Sequence, residues 1–317
     1  VDNTLVTEAG QIPININYFG AVGTENVTVY DSFSVHIGTP NKEDVIATFD
    51  LNTNTLTVSG TGKFEYELSE SSSSANVSVP GSLYTRCTQI VFSNGITEIP
   101  SGFGYRFTNL SNITFGNNIS KIESGNFNTY LGTSLEFPES LISIKSDCFG
   151  ECPNLTELTF HEGLEEIGSS SFDECRLLKN LVLPSTLKNM PYSFQGNTLE
   201  NLVIGGEGAS FLHSGKNGII GISAKNMTIR GGTIGTNAFY GRTDIETVTL
   251  NGEVKFDSTD QFQGCSNLSN ITIDNGVTNI PANCFYNCAI ENVILPDSVL
   301  ELGQNSFSGC TSLKNIT

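Results

Sequence analysis

Apolar and polar residues alternate in short bursts along this chain, and the bursts recur at a nearly fixed interval. In "LTELTFHEGLEEIGSSSFDEC" (residues 155–175), Leu155, Leu158 and Phe160 follow an L-x-x-L-x-L pattern. Strand alternation sends Leu158 and Phe160 to one side and Glu157 and Thr159 to the other. The same strand start recurs at Ile90, Ile113, Leu135, Leu158, Leu181, Leu202, Met227, Val248, Ile271, Val293 and Ile316, in steps of 21 to 25 residues. A second apolar site falls six residues after the start, at Ile96, Ile119, Leu141, Leu164, Leu187, Val277 and Val299. A third falls nine after it, at Ile99, Ile122, Ile144, Ile167, Ile280 and Leu302, where the chain turns inward again on an opposite wall. Self-similarity at this period predicts a solenoid in which each coil buries its faces only against its neighbours.

A phenylalanine closes most units, at Phe127, Phe149, Phe172, Phe194, Phe239, Phe262, Phe285 and Phe307. Parallel coils about 4.8 Å apart would stack these rings into a spine along the convex side. The units "FGECPNLTELTFHEGLEEIGSSSF" and "FSGCTSLKNIT" resemble the BspA-like leucine-rich repeat family, with its pattern F-x-x-C-x-x-L-x-x-I-x-[ILF]-P-x-x-[VL]-x-x-I-x. The resemblance covers residues 89–317. It implies a right-handed leucine-rich repeat solenoid of about ten repeats, β-rich, with short turns or 3-10 pieces on the convex side. It also implies a surface or secreted protein, with several members linked to adhesion.

Residues 1–88 read as a β-rich N-terminal module or cap. "QIPININYF" and "NVTVYDSFSVHI" alternate as strands, and "ATFDLNTNTLTVSGTGKFEYEL" is similar to the hairpin that often precedes the repeats in that family, here spanning about 45–59. The polar, low-complexity "SESSSSANVS" (69–78) reads as a loop. The unit 202–226 is the longest, is rich in glycine and lacks the Phe-x-x-Cys signature, so it reads as a degenerate repeat or a functional interruption. The eleventh unit has room for only two residues, so the sequence predicts a continuation or a partner that closes the open end.

Composition narrows the function. With 33 acidic and 15 basic residues the net charge is -18, which repels phosphate backbones, so nucleic acid is not an expected partner. No apolar run reaches the roughly 18 residues of a membrane helix, and no charged-then-apolar leader opens the chain. Direct membrane insertion is therefore not expected, and the chain reads as a mature or trimmed ectodomain, extracellular or at the cell surface. Ten N-x-[ST] sequons read as incidental products of the repeat's own wording.

Candidate chemistry is sparse. Cys152, Cys175, Cys265, Cys288 and Cys310 share one repeat position, taken elsewhere by Asn197 and Arg242, and a ladder of parallel side chains holds neighbouring Cβ atoms too far apart for a bridge. Buried free thiols are expected there, a small half-buried filler at Cys148 and Cys284, and a core residue at Cys87. His36, His161 and His213 lack metal-ligand spacing, so no metal site is expected. No nucleophile elbow, Walker loop or dinucleotide motif occurs, so neither catalysis nor a cofactor is expected.

The remaining candidate is the outward row of the strands: Glu157 and Thr159, Asn180 and Val182, Asn201 and Val203, Asn226 and Thr228, Thr247 and Thr249, Asn270 and Thr272, Asn292 and Ile294. Asparagine and threonine with three exposed branched apolars suit a protein or glycan partner. The expected function is thus a non-enzymatic binding module. The alternatives are a structural spacer on the cell surface and, further off, a carbohydrate-active enzyme.

Overall fold

The computed structural model describes residues 9–18, 21–30, 32–65, 82–206, 209 and 222–317. The Ser-rich loop, His213 and most of the glycine-rich stretch lie outside the described residues.

The chain opens with an antiparallel hairpin, β1 (Ala9–Tyr18) and β2 (Ala21–Tyr30), in register from Ala9 against Tyr30 to Tyr18 against Ala21. Three further strands follow: β3 (Ser32–His36), β4 (Val45–Asp50) and β5 (Thr55–Gly60). They pair antiparallel, β3 on β4 and β4 on β5, across a turn at Asn54, whose φ of 54° is one that asparagine tolerates. β5 then pairs in parallel with the first repeat strand, β6 (Gln89–Phe92), placing Leu56 against Ile90. The hairpin therefore supplies the backbone partner and the apolar face that the first coil would otherwise leave bare.

From β6 onward every predicted strand start lies in a strand of the outward-facing wall: β7 (Asn112–Thr114), β8 (Ser134–Glu136), β9 (Glu157–Thr159), β10 (Asn180–Val182), β11 (Thr198–Ile204), β12 (Ser223–Ile229), β13 (Thr247–Leu250), β14 (Asn270–Ile273), β15 (Asn292–Val293) and β16 (Asn315–Ile316). The result is a parallel β-solenoid of about nine turns with almost no helix. Register follows the repeat: Ile90 faces Ile113, Leu135 faces Leu158, Leu202 faces both Leu181 and Met227, and Val248 faces Ile271. On the opposite wall, two-residue strands centred on Ile99, Ile122, Ile144 and Ile167 form a second parallel sheet, with all four isoleucines fully buried.

The phenylalanine spine runs Phe127, Phe149, Phe172, Phe194 at centroid spacings of 5.4, 5.6 and 5.1 Å, and again Phe239, Phe262, Phe285, Phe307 at 4.9, 5.4 and 5.4 Å. These spacings follow the coil rise, as expected for rings carried up a parallel stack. The turn around each ring is equally regular. Two residues before it the backbone is left-handed at Asp147, Ser170, Asn237, Asp260, Asn283 and Asn305, and two after it at Glu151, Glu174, Gly196, Gly241, Gly264 and Gly309. Asparagine, aspartate and glycine dominate because they adopt positive φ at least cost. These segments are turns. Among the described residues the one 3-10 helix is Lys42–Asp44, outside the repeats.

The outward strand ladder divides into three sheets: β3 to β7, then β8 with β9, then β10 to β16. Between β9 and β10 the coils stay joined through other backbone bonds, such as Ile167 N–H to Asn189 O (2.9 Å) and Lys188 N–H to Glu165 O (2.8 Å). The break between β7 and β8 has a side-chain cause.

Candidate functional site

The outward residues of the strands stand where alternation places them. Glu157, Thr159, Asn180, Val182, Asn201, Asn226, Asn270, Thr272, Asn292 and Ile294 are exposed, while Val203, Thr228, Thr247 and Thr249 are half-buried. Of the three apolar members, Ile294 (74 % exposed) and Val182 (47 %) reach solvent and Val203 does so less than expected. The asparagines bond along the row: Asn201 Nδ2 donates to Asn180 Oδ1 (2.7 Å), Asn226 Nδ2 to Asn201 Oδ1 (3.1 Å) and Asn315 Nδ2 to Asn292 Oδ1 (2.9 Å). Such amide ladders fix side-chain orientation, so the row is preordered.

A feature the outward row of the sequence reading did not include lies two coils earlier. A cleft of about 850 Å³ opens between β7 and β8, lined by the outward residues Asn112, Thr114, Ser134 and Glu136, with Glu139 and His161 at its rim. These are the outward positions of their coils, so the cleft lies in the same row. Its cause is a pair of residue exchanges; the unit is one residue short, but so are the units that run into Leu202 and Val293, whose strands stay paired. In "FNTYLGTSLEF", Tyr130 takes the repeat position that Cys152 takes in the next unit, and Gly132 takes that of Leu155.

That repeat position has one job in most units, Cys152 being the exception, with its Sγ on Phe149 O of its own unit at 3.0 Å. Cys175, Cys265, Cys288 and Cys310 each direct Sγ at the carbonyl of a phenylalanine one coil earlier, at 3.1 to 3.2 Å. Asn197, at the same position, donates Nδ2 to Phe172 O (2.8 Å), and Arg242 donates to Ile222 O (2.5 Å). The position is thus a donor that ties one coil to the last, which explains its tolerance for Cys, Asn and Arg. All eight cysteines are free and buried. Cys148 and Cys284 are fully rather than half buried, and burial pushes the Cys148 thiol up to about 12 and that of Cys87 to about 11.

Tyr130 performs the same task with a longer arm. Its hydroxyl lies 3.1 Å from Ser111 O and 3.1 Å from Ser134 O, its one proton serving one carbonyl at a time. In regular coils the carbonyl at the position of Ser111 receives backbone N–H groups: Thr88 O accepts from Ser111 and Asn112, and Thr133 O from Thr156 and Glu157. The phenol stands in for that backbone bond, and the ladder between β7 and β8 is lost. Gly132 permits this, since a Cβ there would lie 2.1 Å from the Tyr130 hydroxyl and 2.5 Å from Ser111 O. Tyr130 is buried, which raises its phenol to about 12, so it remains a neutral donor. Beneath the cleft, Phe115 and Phe137 keep coil spacing at 5.3 Å, and both are buried.

Other candidates resolve structurally. His161 joins the cleft and His36 lies exposed far from it in sequence; among the described residues no three His, Cys, Asp or Glu side chains gather as a metal site. Asn109, Asn154 and Asn267, each within a sequon, donate Nδ2 to carbonyls of the preceding coil at 2.5 to 2.9 Å, so the repeat itself requires them. No helix of the described residues is long and apolar enough to cross a membrane.

A parallel solenoid with a phenylalanine spine, a donor ladder and an outward amide row defines the leucine-rich repeat class. Residues 81–205 and 232–317 match the model of the BspA type leucine rich repeat region in six copies, and the chain belongs to that family. Curated proteins give no match. Among solved structures, the chain is similar to the pneumococcal vaccine antigen PcpA (18 % identity, TM-score 0.37, covering 88 % of this chain and 80 % of that one). It is also similar to a leucine rich cell surface protein from Faecalibacterium prausnitzii (18 %, TM-score 0.34, 86 % and 92 %) and a leucine-rich repeat protein from Eubacterium ventriosum (15 %, TM-score 0.30, 90 % and 84 %). Likenesses this remote transfer no function.

Proposed function

We propose that the chain is a non-enzymatic binding module, extracellular or at the cell surface, that engages a protein or glycan along its outward strand row in adhesion or host interaction. One observation carries this reading: the row is preordered by its asparagine ladder yet leaves Val182 and Ile294 bare among amides and hydroxyls. Exposed apolars flanked by paired polar groups bury area on contact without stranding polar atoms. Family membership supports the surface location.

A second reading, a structural spacer, is favoured by the same ladder, because amides that satisfy one another also suit a sheet that only meets water. A binding screen against host matrix proteins and glycans separates the two. Val182→Lys with Val203→Lys is expected to lower binding to the partner found at least ten-fold while shifting the Tm by no more than a few degrees. Binding to nothing in the screen favours the spacer, and full binding by a folded double variant moves the contact off this row.

A further inference from the structure

The cleft between β7 and β8 has a chemistry distinct from the rest of the row, and we propose that it is a subsite for the uncharged end of an unsulfated, unsialylated glycan. The inference rests on the reading of the outward strand face as the binding face and names the ligand class that one part of it takes.

Size comes first. At about 850 Å³ the cleft falls within the roughly 300 to 1,000 Å³ that small-ligand sites occupy, enough for a few sugar rings. Its walls carry hydroxyls, amides and carboxylates, from Thr114, Ser134, Asn112, Glu136 and Glu139, with the His161 imidazole at the rim and apolar side chains, the Phe115 and Phe137 rings among them, at the floor. That set supplies donors and acceptors side by side, which is what a polyol needs, since each sugar hydroxyl both donates and accepts. Carboxylates accept from vicinal hydroxyls in charge-assisted bonds.

The strand edges add to this. β7 ends one sheet and β8 begins another, so their facing backbones are not joined to each other. An apolar ligand would leave these groups without partners.

Charge and width then exclude competitors. No lysine or arginine lines the cleft, two glutamates face it, and the chain carries a net charge of -18, so sulfated, phosphorylated or sialylated ligands are repelled. A peptide cannot insert as an added strand. The Tyr130 hydroxyl touches carbonyls on both walls at 3.1 Å, whereas an inserted strand needs about 4.8 Å on each side. Phe115, Phe137 and Tyr130 line the floor, but all three rings are buried, so none offers a broad stacking face and a single sugar end binds weakly. Affinity toward a multivalent glycan then depends on the rest of the row or on several copies.

The test is a titration of the isotope-labelled full chain, followed by amide resonances. The probes are neutral oligosaccharides of mannose, glucose, galactose and N-acetylglucosamine, and the same sugars carrying sulfate or sialic acid. At least one neutral sugar is expected to shift the amides of Asn112, Thr114, Ser134 and Glu136 saturably, with its charged counterpart at least ten-fold weaker. Asn112→Ala with Glu136→Ala, both on exposed side chains, is expected to weaken that sugar at least ten-fold without changing the Tm. Val182→Lys with Val203→Lys is expected to leave it unchanged. No saturable shift, a preference for charged sugars, shifts confined to other coils, or an unaffected cleft variant overturns the inference. If the macromolecular partner is lost only on changing Val182 and Val203 while no sugar binds, the cleft inference fails and the row stands; if only the cleft variant loses that partner, the row fails.

Discussion

The coils between Cys265 and Cys310 and the coil that begins at Leu135 are built from the same sentence with different punctuation. In the former, each ring lies 5.4 Å from the next and each thiol points at the carbonyl of the ring one coil back. In the latter, a phenol replaces the thiol, a glycine replaces a leucine, and the outward ladder opens. The comparison teaches that this fold holds its coils together redundantly. The ladder between β7 and β8 is lost, yet Leu131 N–H still reaches Leu110 O (2.8 Å) and Ile142 N–H reaches Ser120 O (2.9 Å) on other sides of the coil. Redundancy lets one wall vary, and a cleft opens where it does.

The largest test strikes the regular region. Phe172 is fully buried between Phe149 at 5.6 Å and Phe194 at 5.1 Å. Phe172→Ala removes a ring with neighbours on both sides, and the rigid coil rise prevents collapse into the void. A loss of about 3–5 kcal/mol is expected in denaturant unfolding. A loss under about 1 kcal/mol would mean that the stack relaxes, and that the regular coils are no stiffer than the irregular one.

The irregular region should give a smaller response with a different signature. Tyr130→Phe keeps the ring and deletes the hydroxyl, leaving the carbonyls of Ser111 and Ser134 without that donor. The expected cost is about 1–3 kcal/mol, together with faster hydrogen exchange on β7 and β8 and unchanged exchange on β13 and β14. Gly132→Ala should do similar damage by driving the phenol off its bridge. Uniformly faster exchange along the whole solenoid would show that the phenol is not a local substitute for the ladder.

How much of this was legible beforehand follows from what periodicity can carry. A side chain that repeats announces its environment, so the Ile99, Ile122, Ile144 and Ile167 row, the ring spine and the outward asparagines could be placed from spacing alone. The donor role of the cysteine position could not. Cys, Asn, Arg and Tyr share no hydrophobicity or size, and only the carbonyl facing them shows what they have in common. The cleft was written in "FNTYLGTSLEF", but its signal is a tyrosine and a glycine where other units have a cysteine and a leucine, visible only when the unit is aligned so that Tyr130 falls on Cys152. Pairing of β5 with β6 was beyond reach too, since sequence gives a hairpin's strands but not which edge it offers.

The smallest expected effect probes the wall opposite the cleft, where charge rather than packing differs between coils. Glu166 accepts from Lys145 Nζ at 2.5 Å and from Ser143 Oγ at 3.0 Å, and the lysine bond, aided by that hydroxyl, holds its carboxyl below the usual glutamate value of 4.5 despite partial burial. A carboxyl with a depressed folded pKa binds fewer protons folded than unfolded around that value. Its contribution is therefore present above pH 4.5 and is lost as pH falls through the lower, folded value. Both side chains are about 30 % exposed, so solvent screening limits the pair to about 0.2–1 kcal/mol. Glu166→Gln should flatten the acid limb of the stability profile by that amount and change nothing at the cleft, which lies on the other wall. If Glu166→Gln instead alters sugar-induced shifts at Asn112 and Glu136, the two walls of a coil are coupled through its core, and the independence that lets the outward face vary does not hold.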